Sequence, residues 1–269
     1  MSRLSKVFES LKQTRKTALI PYITAGDPHP DATVELMHAL VNSGADILEV
    51  GVPFSDPMAD GPVIQAACER ALKHNVSLRN VLEMVTDFRR DDAETPVVLM
   101  GYLNPIEIMG YGEFAEAAKQ AGVDGALIVD IPPEEAAPLT KVMRENDLDA
   151  IFLAAPTTSV ERLALINTVC SGFLYYVSLK GVTGSSKLDT DAIKKRLSVI
   201  KDNIALPIGV GFGIASAEDA AAVAAHADAV VVGSALVKFV AASPDDLNSI
   251  KSSMQELLSS MRQAIDQVR

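Results

Sequence analysis

Cysteine, histidine and positive charge are all scarce in this chain of 269 residues. The two cysteines, Cys68 and Cys170, lie in apolar, helix-like surroundings without metal-ligand spacing, as expected of small buried side chains in a reducing cytoplasm. The four histidines, at 29, 38, 74 and 226, are scattered over loops and helices, so no cluster for zinc or iron is visible. No lysine lies inside an expected strand, which leaves a Schiff-base aldolase mechanism without its nucleophile. No nucleophile elbow or Cys–His pattern stands out either. Lys and Arg number 24 against 35 Asp and Glu, a formal charge of −11 that argues against a nucleic-acid partner. A small anion remains admissible, because backbone N–H groups at a helix N-terminus hold phosphate without net positive charge. No apolar run approaches the roughly 18–20 residues of a membrane span. Ser2 to Lys16 is charged and amphipathic, unlike a signal peptide.

Apolar residues are abundant, at 48% with 22% charged, enough for a large globular core. Apolar runs alternate with amphipathic stretches from end to end. Strands are expected at Ala18–Thr24, Asp46–Val52, Pro96–Tyr102, Gly125–Ile131, Ala150–Ala155, Phe173–Leu179, Pro207–Gly211 and Asp228–Gly233. None shows strict polar alternation, the pattern of strands buried on both faces. Helices are expected between them at Asp31–Ser43, Leu78–Arg90, Gly112–Ala121, Pro133–Asn146, Ser159–Val169, Asp189–Asp202 and Ala217–Ala225. Asp46, Asp124 and Asp228 each follow a helix end and launch a strand, which suits turn-shaping. Eight βα units without a Pro/Gly/Ser linker favour a single (β/α)8 barrel, a TIM barrel, over residues 1–269. Two helices are extra, Arg3–Leu11, placed to plug the barrel bottom, and Pro62–Lys73, while Leu247–Val268 reads as a closing amphipathic helix after the eighth strand.

Such barrels build their sites at the C-terminal strand ends. The second strand carries a carboxylate, Glu49, inside an apolar run, where an ionised side chain costs several kcal/mol unless partnered. The loop beyond it adds Asp56 and Asp60. Tyr22 and Thr24, Tyr102, Asp130, Tyr175, Lys180 and Thr183 stand at other strand ends. The set suits metal-free acid–base chemistry on a substrate with its own electron sink.

Glycines Gly209, Gly211 and Gly213 end the seventh strand, and Gly233-Ser234-Ala235 leaves the eighth and opens a helix. Both are places where barrels bind phosphate. Leu179–Asp189, with two glycines, two serines and a threonine, has the composition of a mobile lid. On the residues alone, a phosphate-binding isomerase or epimerase, or a regulatory binding module, stays open.

The segment LEVGVPFSDPMADG, from Leu48 to Gly61, resembles the signature of the tryptophan synthase alpha chain family. PYITAGDP at Pro21–Pro28, GYLNPI at Gly101–Ile106, DIPPEE at Asp130–Glu135, GVTG at Gly181–Gly184 and GVGFGI at Gly209–Ile214 agree in order along almost the whole chain. The resemblance implies a lyase that cleaves indole-3-glycerol phosphate to indole and glyceraldehyde 3-phosphate. It assigns acid–base catalysis to Glu49 and the indole N–H to Asp60. Tyr22, Met100, Tyr102, Leu127, Leu153, Tyr175 and Phe212 would line the substrate pocket, and Thr183 would close over Asp60. Phosphate would lie near Gly184, Gly211, Gly213, Gly233 and Ser234. Asp56, Pro57 and Met58, with Asn104, Pro105 and Pro132, would face a beta chain in an αββα assembly. Pyridoxal phosphate (PLP) would belong to that partner, with no cofactor in this chain.

Overall fold

The computed structural model describes residues 2–177, 190–211 and 213–268. Eight parallel strands close into a barrel in sequence order: β1 Ala18–Thr24, β2 Leu48–Gly51, β3 Val97–Gly101, β4 Gly125–Ile128, β5 Asp149–Ala154, β6 Leu174–Val177, β7 Ile208–Gly211 and β8 Ala229–Val232. β1 pairs with both β2 and β8, so no strand edge is left open. Most strands are shorter than their apolar runs suggest, because the flanking apolar residues belong to the loops that pack on the barrel ends.

Twelve helices accompany the strands among the described residues. α1 (Arg3–Thr14), α2 (Ala32–Asn42), α3 (Pro62–Leu72) and α4 (Leu78–Phe88) precede β3. α5 (Leu103–Met109) and α6 (Tyr111–Ala121) follow it, then α7 (Ala137–Glu145), α8 (Val160–Val169), α9 (Thr190–Lys201), α10 (Ala217–Ala224), α11 (Ser234–Ala242) and α12 (Leu247–Asp266). α7 starts four residues later than its sequence pattern suggests. Pro138 takes a first-turn position, where its missing N–H costs nothing. α5 is too short, at seven residues, to leave a readable period, and the sequence showed only an apolar stretch there.

Strand alternation divides the interior into two layers. Outward residues such as Leu48, Val50, Leu99 and Val230 pack against the helices. Inward residues such as Ile20, Ile47, Val98, Leu127, Ile151 and Val231 fill the lumen. Leu4 and Phe8 of α1 join that inner cluster from below, with Phe8 against Phe173 at 5.7 Å between ring centroids. The alternation that sends Ile47 inward also sends Glu49 inward, and after it Gly51.

The bottoms of the strands are tied in pairs. Asp46 donates its N–H to the Leu19 carbonyl and accepts from the Leu19 N–H through its carboxylate. Asp124 does the same with Val97, and Asp228 with Ile208. Ser171 repeats the arrangement with Ala150 through its hydroxyl. Each residue precedes an even-numbered strand and holds the odd-numbered strand before it, so these aspartates do more than shape turns. Asp124, 4% exposed, also receives Arg89 at 2.9 Å and Arg3 at 3.0 Å. No described helix is long and apolar enough to cross a membrane.

Asp124→Ala removes the clamp and takes from Arg89, which is 10% exposed, its closest carboxylate, leaving it the Gly122, Asp92 and Thr95 carbonyls and the more distant Asp92 carboxylate. The expected loss is about 3–5 kcal/mol, read from urea unfolding, and a loss below about 1 kcal/mol would show that the clamp carries little of the fold.

Candidate active site

A cavity of about 400 Å³ opens at the C-terminal ends of the strands. Its walls follow from the inward alternation: Tyr22 from β1, Glu49 from β2, Met100 from β3, Leu127 from β4, Leu153 from β5, Tyr175 from β6 and Val231 from β8. Asp60 enters from the loop after β2, and Gly213, Gly233 and Ser234 form the opposite rim.

Two tyrosines frame the site, and each needs a glycine. A Cβ on Gly51 would lie 2.1 Å from the Tyr22 hydroxyl, and one on Gly211 would lie 2.1 Å from the Tyr175 hydroxyl. Any side chain at either glycine would displace a cavity wall. Gly211 itself does not line the cavity. Its expected phosphate contact gives way to a packing reason, because the Tyr175 ring covers it. The Tyr22 hydroxyl meets the Thr24 hydroxyl at 3.1 Å, and burial keeps both tyrosines protonated well above their usual range.

Glu49 is 2% exposed, and its Oε1 has no hydrogen-bond partner among the described residues. A buried polar atom left so costs about 1–3 kcal/mol, and such atoms cluster where a ligand completes the bonding. Burial first, and the nearby Asp60 carboxylate second, push its carboxyl up to about 8. It is therefore a proton donor at neutral pH.

Asp60 is half-buried, and burial raises its carboxyl while a hydrogen bond from Tyr102 opposes that rise. The Tyr102 hydroxyl donates to Asp60 Oδ2 at 2.8 Å and accepts from the Ala59 N–H at 3.0 Å. Its ring stacks on Phe54 at 5.0 Å, and Gln65 donates to the Asp60 carbonyl at 2.8 Å. Tyr102 itself stands beside the cavity rather than in its wall, so the sequence-based expectation of a substrate contact is corrected. The chain leaves β3 at Gly101 and starts α5 at Leu103, which ends the strand alternation and turns the ring toward the loop. Asp130 also leaves the cavity, accepting from the Leu103 N–H at 2.8 Å.

Thr183, Gly184 and Phe212, with the Leu179–Asp189 stretch, lie outside the described residues. The sequence reading missed Val129 and Val177, each two residues beyond a named wall residue, and Lys238, one helical turn beyond Ser234. Of the residues expected at a partner surface, Met58 is 79% exposed, Asp56 and Asn104 are exposed, and Pro57, Pro105 and Pro132 are half-exposed. Ile108 of α5, 83% exposed, lies in the apolar Asn104–Met109 segment expected at that surface. The described residues contain no group of three or more metal-ligating side chains.

Fold and cavity define a class: a (β/α)8 barrel whose polar groups converge at the carboxyl ends of its strands. Within it, the family model of the tryptophan synthase alpha chain matches residues 8–266. The tryptophan synthase alpha chain of Thioalkalivibrio sulfidiphilus is 60% identical over 266 residues, covering 99% of this chain and 100% of that one. The crystal structure of tryptophan synthase subunit alpha from Legionella pneumophila str. Paris is 51% identical with a TM-score of 0.94, covering 99% of each chain. A chain from the tryptophan synthase a2b2 complex of the hyperthermophile Pyrococcus furiosus is 38% identical with a TM-score of 0.84, covering 91% of this chain and 98% of that one. The chain belongs to the tryptophan synthase alpha chain family.

The raised carboxyl of Glu49 has a consequence for stability. Between its ordinary value of 4.5 and about 8, the unfolded chain sheds this proton while the folded chain keeps it. Stability therefore falls as pH rises through that window, by at most about 1.4 kcal/mol per pH unit. Glu49→Gln removes the titration, so denaturant melts at about pH 5 and about pH 8.5 are expected to show the variant gaining on the order of 3 kcal/mol over wild type at the higher pH. An equal difference at both would mean that the carboxyl is solvated.

Proposed function

We propose that this chain cleaves indole-3-glycerol phosphate to indole and glyceraldehyde 3-phosphate, with Glu49 as acid–base and Asp60 as electrostatic partner. The observation that carries the reading is a protonated carboxyl, its Oε1 without a partner among the described residues, buried in the wall of a largely apolar cavity that also holds Asp60. Protonated Glu49 gives its proton to carbon 3 of the indole, and the ring becomes an iminium. The side-chain hydroxyl next to that carbon returns a proton to the Glu49 carboxylate. The carbon–carbon bond then breaks, its electron pair flowing into the ring, and the hydroxyl carbon leaves as an aldehyde. Glu49 ends as it began, and neither an external electron sink nor a covalent intermediate is needed.

Asp60 sits where positive charge develops on the ring nitrogen, an interaction of about 2–4 kcal/mol once water is excluded. Tyr102 is its positioning residue: bonded at once to Asp60, to the Ala59 N–H and to the Phe54 face, it fixes the carboxylate's direction. Met100, Leu127 and Leu153 supply the flat apolar walls for the indole. Gly213 in the loop after β7, with Gly233 and Ser234 at the start of α11, would offer backbone N–H groups and a hydroxyl to the phosphate. Thr183, Gly184 and Phe212 keep the substrate and phosphate roles that the resemblance assigns them.

The exposed apolar pair Met58 and Ile108, flanked by Asp56, Pro57, Asn104, Pro105 and Pro132, is the proposed docking face for a beta chain in an αββα assembly. PLP would be held by that partner. The reading places the chain in the cytoplasm, as one folded domain.

Glu49→Gln is expected to abolish indole release while substrate affinity stays within a few-fold, and Asp60→Asn to lower turnover by about two or more orders of magnitude. Near-normal turnover in the Gln variant would remove Glu49 from its role. Wild-type turnover should decline as pH rises through about 8, where the acid form is lost. Met58→Asp should weaken capture of a cognate beta chain by about tenfold or more in a pull-down titration, and undiminished capture would place the interface elsewhere.

A further inference from the structure

We propose that Lys238 of α11 is the cation that admits a doubly charged phosphate ester to the cavity and sets its preference for the phosphorylated over the unphosphorylated substrate. The inference rests on the phosphate reading of the Gly213–Gly233–Ser234 rim given above. Lys238 lines the same cavity as those three residues. It stands four residues after Ser234 on one helix, and side chains at that spacing share a face. The opposite faces of α11 are committed to packing, with Leu236, Val237 and Val240 buried.

Charge makes the argument. The titratable groups in the described cavity wall are Tyr22, Glu49, Asp60, Tyr175 and Lys238. The tyrosines are neutral, Glu49 is held neutral by a carboxyl pushed up to about 8, and burial raises the Asp60 carboxyl against the hydrogen bond from Tyr102. A phosphate dianion therefore approaches a wall whose titratable groups other than Lys238 are all acidic, on a protein of net charge −11. Lys238 is the only positive side chain in the described wall. Its ammonium forms no ion pair with a described carboxylate, whereas Arg70, Arg89 and Arg262 are each locked to one. Backbone N–H groups at the start of α11 orient an anion, but their partial charges do not offset two full negative ones. The lysine is exposed at the cavity mouth, so it acts on the approaching anion across water and its effect is screened by salt.

The test is a charge series at this position, Lys238→Gln, Lys238→Glu and Lys238→Arg, assayed with indole-3-glycerol phosphate and with indoleglycerol lacking the phosphate. For Lys238→Gln, KM for the phosphorylated substrate should rise about tenfold, more for Glu, with the loss confined to KM, while Arg should restore most of it. The preference for the phosphorylated substrate over indoleglycerol should shrink by the same factor. Calorimetric binding of glycerol 1-phosphate across a NaCl series gives a readout independent of turnover. Wild type should weaken steeply with salt, and the Gln variant should show a flatter slope. An unchanged KM and an unchanged salt slope in the Gln variant would overturn the proposal and leave Lys238 a solvated surface residue. If wild type binds glycerol 1-phosphate without cleaving indole-3-glycerol phosphate, the reaction is wrong, and the binding series still decides the lysine. If wild type binds neither, both readings fall.

Discussion

The structure depends on one unfavourable placement: a carboxyl group in the lumen of a parallel barrel whose Oε1 has no hydrogen-bond partner among the described residues. The described wall around Glu49 is mostly apolar or aromatic, with Asp60, Ser234 and Lys238 as its other polar side chains apart from the tyrosine hydroxyls. Burial keeps the proton on, and a neighbouring negative charge reinforces that. A hydrogen-bonded or ion-paired glutamate would be cheaper to fold and would be ionised at neutral pH, and so useless as an acid. The cost is met by the rest of the barrel, whose lumen and helix-facing layers hold the large apolar clusters.

The two carboxylates illustrate how environment divides labour. Glu49 points inward from a strand, has no donor and stays neutral. Asp60, on a loop, is half-buried and receives a donor from Tyr102, so it stays charged more readily. In the proposed reaction one acts on carbon as an acid and the other acts on developing positive charge, and neither role requires a side chain unlike the other's. Space is apportioned with similar economy. Lumen positions on β2 and β7 carry glycine where the tyrosines of β1 and β6 lean over them, so the aromatic walls are set by what their neighbours lack.

Much of this was legible in the sequence, and the reasons are specific. Parallel strands buried on both faces advertise themselves as apolar runs, and eight such runs separated by helical patterns leave few architectures. A carboxylate inside an apolar strand singled out Glu49, and alternation sent Tyr175 toward the site. What alternation does not carry is direction beyond the strand's end. Tyr102 was expected in the substrate pocket and instead grips Asp60, because the chain turns into α5 immediately after it. Gly211 was expected to approach an anion and instead makes room for a ring, a distinction that depends on three-dimensional proximity. Lys238 was passed over because it lies inside a helix whose opening alone had been recognised.

The clamps beneath the strands bear on how the chain finds its shape. They join residues 27, 27, 21 and 20 positions apart, whereas the Thr17 hydroxyl reaches the Ala224 carbonyl over 207 positions at the seam of β1 and β8. Closing a short loop costs less chain entropy than closing a long one, and near contacts form sooner. Four two-strand modules can thus assemble separately, each fastened at its base, before the ring shuts. The elementary piece of this architecture is then the couple, and the last seam to close is the one that brings the two ends of the chain together.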